Sequence, residues 1–247
     1  MELHDSGKKI AVIGAGVAGL TASYLLSKKH HVYLFDKKHY CGGHANTITI
    51  PKGEDEGLPV DTGFIVFNKN NYPVFLKLLA ELNVDYVKSD MSFSFFSHVS
   101  KFLYSSDFPK GLFAKKRNLF SPKFYRFVAD ILKFNKVATI DVLAGRHLES
   151  SLDSYLKKYD FSETFIQNYV VPMGSAIWSA SFSELLQMPA YTFLHFWRNH
   201  GLLQVANRPN WFTIKGGSRN YVQKITQKIS HISLNNAAVK VKRFDNG

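Results

Sequence analysis

The run Ile10-Ala11-Val12-Ile13-Gly14-Ala15-Gly16-Val17-Ala18-Gly19-Leu20 restricts this chain more than any other stretch. Branched apolar residues lead into glycines spaced G-x-G-x-x-G, and Ala18, Leu20, Ala22, Leu25 and Leu26 then recur at helical spacing. The order is strand, tight turn, helix, expected over 8–13 and 17–29. In such a unit Gly14 permits the turn, Gly16 lets the backbone approach phosphates, and Gly19 brings helix against strand. N–H groups at the helix start attract a pyrophosphate. Gly14, Ala15, Gly16, Ala18 and Gly19 are therefore candidate cofactor-binding residues. A glycine-rich turn alone is a common structural device, so context decides. A second strand, His31-Val32-Tyr33-Leu34-Phe35, ends on Asp36. An acid there accepts hydrogen bonds from adenosine ribose hydroxyls and repels a 2′-phosphate, which disfavours NADP. The bland reading of Asp36 is a solvated strand end.

With 247 residues the chain can bury a full core as one large domain or two. Its 21 Phe and 12 Tyr supply flat apolar side chains for lining a cavity. A single cysteine, Cys41, excludes an intramolecular disulfide and suits a reducing compartment, so a cytoplasmic location is expected. The polar start, Met1 to Gly7, gives no expectation of a secretory signal. The uncharged window Thr164 to Phe182 contains Gln167, Asn168, Pro172 and Gly174 and does not read as a spanning helix. Lys plus Arg outnumber Asp plus Glu by 31 to 19, an excess that points to anionic company: nucleotide, phospholipid surface or nucleic acid.

After Asp36 comes Lys37-Lys38-His39-Tyr40-Cys41-Gly42-Gly43-His44-Ala45-Asn46-Thr47. The Gly42-Gly43 pair lets backbone pass close to a second face of a bound cofactor, or simply makes a turn. Alternating Thr47-Ile48-Thr49-Ile50, a Pro/Gly/acid loop and Val60-Asp61-Thr62-Gly63-Phe64-Ile65-Val66-Phe67 read as a hairpin.

The run GAGVAGLTASYLL, then Asp36, then Gly42-Gly43 before a Thr-rich strand, resembles the FAD-dependent amine oxidase and phytoene desaturase superfamily. Tyr40 and His44 stand where that superfamily usually has arginines, so charged contacts to the pyrophosphate region differ. The wording CGGHANT, VDTGFIVFN and RPNWFTIKGGSRNYV is similar to a bacterial branch of NAD/FAD-binding, amine-oxidase-like flavoproteins. Relatives of that branch resemble the oxidase-like half of some cyclopropane fatty acid synthases. The resemblance implies FAD rather than NAD, wrapped along Gly42, Gly43, His44 and then Asp61, Thr62, Gly63 and Phe64 toward the isoalloxazine. It also implies a backbone contact to adenine at Ala238 in the segment Ile232 to Val241. The Gly216-Gly217 element before a helix over 220–229 resembles the return from substrate domain to FAD domain, with Arg219 near the cavity. Its bland reading is a helix entry turn.

Between these parts the pattern predicts a helix over 70–83 and a strand at Met91-Ser92-Phe93-Ser94-Phe95. Residues 101–136 hold nine Lys or Arg against Asp107 and Asp130, interleaved with nine aromatics that include Phe108 and Phe113. Phe124, Phe127, Ile131 and Phe134 follow helical spacing, with Lys123, Arg126 and Lys133 off the stripe. Two readings stand: an amphipathic helix with a solvated basic face, or a peripheral surface on anionic membrane, aromatic side down. Nucleic-acid binding ranks last. Short helices are expected over 150–159 and 162–170, a break at Pro172-Met173-Gly174, and a helix over 189–200 ended by Gly201. His195 and His200 lack partners at ligand spacing, so no metal site is expected. No protein nucleophile stands out and no residue is assigned as catalytic, as suits a cofactor that carries the chemistry. Asn246-Gly247 is a hairpin signal without its second strand, which reads as a truncated or fragmentary chain.

The expected fold class is α/β, a Rossmann-like FAD/NAD(P)-binding domain with an inserted, mostly helical α+β substrate domain. The FAD-binding parts are 1–90 and 213–247, around a substrate region 91–212. The expected activity is FAD-dependent oxidoreduction by hydride transfer with an apolar substrate, a lipid or acyl chain. An amine substrate is the alternative within the enzymes. A non-catalytic nucleotide- or membrane-binding fragment is the alternative outside them.

Overall fold

The computed structural model describes residues 7–106, 111, 116–147, 149–204 and 208–244. Asp107, Phe108, Phe113 and the Asn246-Gly247 pair lie outside the described residues. In chain order the elements are β1 (Lys9–Ile13), α1 (Val17–Leu26), β2 (His31–Phe35), β3 (Thr47–Thr49), β4 (Pro59–Asp61), β5 (Phe67–Asn68), α2 (Pro73–Glu81) and β6 (Tyr86–Ser89). Next come β7 (Ser94–Phe96), β8 (Leu103–Ser105), a 3₁₀ turn at Lys116–Phe120, α3 (Pro122–Leu143), α4 (Leu152–Lys158) and α5 (Glu163–Phe165). A π-turn at Ile166–Val170 leads into α6 (Val171–Trp178), followed by α7 (Phe182–Gln187) and α8 (Ala190–Asn199). The chain then returns through β9 (Trp211–Ile214), α9 (Arg219–Thr226) and β10 (His231–Ser233). None of the described helices is long and apolar enough to cross a membrane.

Contacts divide the chain into two compact units, 1–89 with 210–247, and 90–209. In the first, a parallel sheet runs β1-β2-β10, with Lys9 opposite His31 and Tyr33 opposite His231. Its α1 turns Leu20, Ser23 and Tyr24 inward, and α9 contributes Tyr221, Val222 and Ile225 to the same core. α2 opens on Pro73, where the missing N–H costs nothing, and buries Leu78 and Leu79. The expected hairpin forms, and the end of its second arm leaves it. β4 pairs with β3, while Phe67-Asn68 joins β9 and β6 in a separate antiparallel sheet. β10 stops at Ser233, and beyond Leu234 the amides turn to a loop: Asn235 N–H donates to the Lys38 carbonyl and Asn236 N–H to that of Asp36.

The second unit is mostly helical, and its core is aromatic. Phe124, Phe127 and Phe134 from α3 pack with Tyr104, Tyr155, Phe165, Phe193 and Trp197, all at most 2% exposed. The aromatic stripe of α3 therefore lies inside the protein, not on a lipid surface, because burying such rings stabilises by about 1.5–3 kcal/mol each. Ser121 caps α3 through the Phe124 N–H, and Ser181 with Glu184 forms a capping box on α7. The strand expected at 91–95 forms over Ser94–Phe96, paired with β8.

The expected break at Pro172 does not occur. Pro172 brings no N–H to the carbonyl of Asn168 one turn earlier, which would ordinarily end a helix. Here the helix widens into the π-turn, with Val171 N–H donating to the Ile166 carbonyl. The buried hydroxyl of Tyr104 takes over the Asn168 carbonyl at 2.8 Å. Burial raises the Tyr104 pKa far above its ordinary value and keeps that donor protonated. Tyr104→Phe leaves a buried carbonyl without this donor and is expected to cost about 1–3 kcal/mol. Urea unfolding of the two proteins measures this, and equal midpoints would exclude it.

Candidate cofactor-binding site

The site is built where β1 meets α1. Gly14 has φ +101°, a left-handed conformation that a glycine adopts freely, and its N–H donates to the Phe35 carbonyl at 2.8 Å. That bond ties the glycine turn to the end of β2. Gly16 is the N-cap of α1 and offers no side chain to the helix start, and a Cβ there would point into open space. The first turn of α1, which includes the exposed Ala18, carries no acid, so the positive end of the helix dipole stands unopposed. Gly19 is held by close approach: a Cβ on it would lie 1.8 Å from the Gly14 carbonyl oxygen.

A second glycine loop lies directly against the first. Gly42 N–H donates to the Ala15 carbonyl at 2.7 Å, and Gly16 and Gly42 form a parallel bridge. A Cβ on Gly43 would come within 3.1 Å of the Gly16 Cα. The next contact continues the line, since Phe64 N–H donates to the His44 carbonyl and a Cβ on Gly63 would stand 2.2 Å from that oxygen. Thr62 is held beside them by Asn46, whose side-chain amide donates to the Thr62 hydroxyl at 2.8 Å. Two glycine loops and a helix start thus form a side-chain-free cradle of backbone, the shape a pyrophosphate requires.

Asp36 closes this cradle at one end. Its carboxylate accepts from the Ala15 N–H at 2.6 Å and from the Lys38 N–H at 2.7 Å. Those two donors, Lys38 first and Ala15 second, hold its carboxyl below its ordinary pKa. Through Ala15 the acid fixes the glycine turn. Tyr40, at an arginine position of the resembled superfamily, receives a hydrogen bond from the Lys38 ammonium at 3.1 Å. Ala238 lies exposed in the segment that Asn235 and Asn236 anchor to Lys38 and Asp36.

Two candidate residues are engaged elsewhere. Asp61 accepts from the Ser218 N–H at 2.9 and 3.1 Å and from the Thr47 hydroxyl at 2.5 Å. The Thr47 hydroxyl in turn accepts from the Arg219 N–H at 2.9 Å. Asp61 and Thr47 therefore clasp the start of α9 to the β3-β4 hairpin. The Phe64 ring packs edge-on against Tyr72 and Phe75 in the core. Sequence reading missed the roles of Thr47 and Ser218; the only signal for Ser218 was a hydroxyl residue between Gly217 and the helix. Asp61→Ala removes three acceptor contacts at a helix start and is expected to lower stability by about 1–3 kcal/mol. Thermal unfolding checks this, and an unchanged midpoint would show the clasp to be dispensable.

Comparison with known proteins bears on the fold. Residues 12–82 match the family described as NAD(P)-binding Rossmann-like domain. An uncharacterized protein of Methanocaldococcus jannaschii is 30% identical over 152 residues, 60% of this chain and 35% of that protein. An oxidoreductase from Methanosarcina mazei superposes with TM-score 0.60 at 19% identity, over 96% of this chain and 53% of that one. A putrescine oxidase bound to putrescine gives 0.61 at 14% identity, covering 92% and 51%. A CLA-producing fatty acid isomerase from P. acnes gives 0.59 at 16%, covering 95% and 52%. The fold is shared. It is a Rossmann-like dinucleotide-binding fold with an inserted, mostly helical α+β unit. The chain spans about a third of the length of the archaeal relative and about half that of the structures.

Proposed function

We propose that this chain holds FAD and forms part of an oxidoreductase acting on an apolar substrate. The observation that carries the reading is the backbone cradle made by Gly14, Gly16, Gly42 and Gly43 against an uncapped helix start, with Asp36 beside it. In this reading the α1 amides hold the pyrophosphate and Asp36 the ribose. His44, Thr62 and Gly63 pass along the flavin side, and Ala238 lies by the adenine. When bound, the flavin supplies the hydride acceptor and donor.

A second glycine loop in contact with the first supports an extended flavin dinucleotide over NAD. An acyl chain or other lipid is the favoured substrate, supported by the aromatic content and by the branch resemblance to cyclopropane synthase partners. The fold likeness to a fatty acid isomerase is in keeping with it. An amine is the second reading, favoured by the likeness to a putrescine oxidase.

The visible spectrum of the purified chain, with chromatography of any nucleotide released by heat, tests the cofactor. Near-stoichiometric FAD is the expected result. Failure to bind FAD after refolding in its presence, with NAD bound instead, would overturn the proposal.

A further inference from the structure

We infer that the outward face of α3 seats the protein on an anionic lipid bilayer. This surface is the reverse of the aromatic stripe, and the inference stands independently of the cofactor reading. Because Phe124, Phe127 and Phe134 point into the core, the opposite side of the helix faces solvent, and it too is apolar. Tyr125 is 52% exposed, Leu132 53%, Ile140 46% and Leu143 66%, and Phe120 just before the helix is 86% exposed. Tyr125, Leu132 and Leu143 share one side at helical spacing, with Ala129 between them and Ile140 beside them. The 22 residues of α3 extend this face over about 33 Å.

Charge identifies the occupant. Lys123, Arg126, Lys133 and Lys136 are all exposed on α3, whereas both of its carboxylates, Asp130 and Asp141, are buried. Asp130 is consumed by Arg126 and by the Ser162 N–H and hydroxyl. Asp141 is consumed by the hydroxyls of Tyr155 and Tyr159 and by Arg146. Arg126 also reaches Asp160 at 3.6 Å, and Lys133 donates to the Tyr159 carbonyl, so these two lie along one edge. Lys136 lies within the apolar face, and neither it nor Lys123 has an acidic partner among the described residues. A long helix face of exposed aliphatic and aromatic side chains, on a helix whose cations are exposed and whose own carboxylates are buried, matches the interface of a bilayer carrying negative headgroups.

Flotation of the full chain with phosphatidylcholine vesicles, with and without phosphatidylglycerol, tests this. The chain is expected to float with the anionic vesicles only, and to be released by salt. Leu132→Glu and, separately, Lys136→Glu alter exposed positions and are each expected to weaken partition about tenfold with unfolding midpoints unchanged. Absence of binding to anionic vesicles would overturn the proposal, as would binding that both variants retain. So would a dimer in solution that Leu132→Glu dissociates, which would make the face a contact between copies. Equal retention of wild type and Leu132→Glu on a soluble polyanion such as heparin, without vesicle binding, would reassign it to nucleic acid.

Discussion

Gly19→Ala is expected to destabilise the protein by about 3 kcal/mol, lowering its melting temperature by roughly 6–12 °C, and to abolish FAD retention. Two effects oppose each other at this position. Alanine is the better helix former by about 1 kcal/mol, which alone would favour the variant. Against that, its Cβ would lie 1.8 Å from the carbonyl oxygen of Gly14. A backbone oxygen cannot rotate aside as a side chain can, so α1 must move away from β1. That movement pulls the helix start from the loop whose Gly14 N–H is anchored to Phe35 and whose Ala15 carbonyl is anchored to Gly42. The steric term wins, and the cradle opens. Calorimetry and the absorption spectrum of the purified variant report both parts. A yellow Gly19→Ala protein with the parental melting temperature would refute the argument.

Asp36→Asn should weaken FAD binding about 10- to 100-fold, the loss of one or two charge-assisted hydrogen bonds to a ribose. The amide also presents an NH₂ group to one of two backbone donors, the N–H of Ala15 or of Lys38, so the glycine loop is loosened even without cofactor. The second effect carries a pH signature. Because those donors hold the Asp36 carboxyl below its ordinary value, its contribution to stability is full above the unfolded pKa of about 3.9. It disappears as pH falls through the folded value. Wild type should therefore exceed Asp36→Asn in urea resistance at pH 7, and the gap should close in acid. A gap independent of pH would show that the carboxylate charge does not hold the loop.

The dinucleotide half of the molecule was readable because its chemistry is local. Strand, glycine turn, helix, second strand and terminal acid follow one another in order, and that order already implies the left-handed turn at Gly14 and the close approach at Gly19. The contact of Gly16 with Gly43 and the bond from Ala15 to Asp36 extend that local pattern by one strand. What remained hidden depended on distant partners. The structural partner of Asp61, the Ser218 amide that donates to its carboxylate, lies 157 residues away and could not be read from the local pattern. Pro172 reads as a helix stop until Tyr104, far upstream, satisfies the stranded carbonyl. The aromatic stripe of α3 could be recognised from its period, but period alone does not say which side faces water. When both faces of a helix carry apolar residues, only the packing partners decide, and here they are Tyr104, Phe165 and Trp197.

The pairing of β6 with β9 sets a particular order of events during synthesis. Ser89 lies opposite Trp211 in that ladder, so the strand leaving the first unit waits for its neighbour until the whole intervening unit has emerged. Residues 90–209 carry their own aromatic core and can collapse while the ribosome is still extending the chain. A collapsed 90–209 shortens the flexible loop that β6 and β9 must close, which reduces its entropic cost. The Rossmann-like unit, although its first strand is encoded first, gains β9, α9 and β10 only after residues 90–209 have been made. Until α9 and β10 arrive, β2 lacks its second neighbour and α1 lacks the helix it packs against.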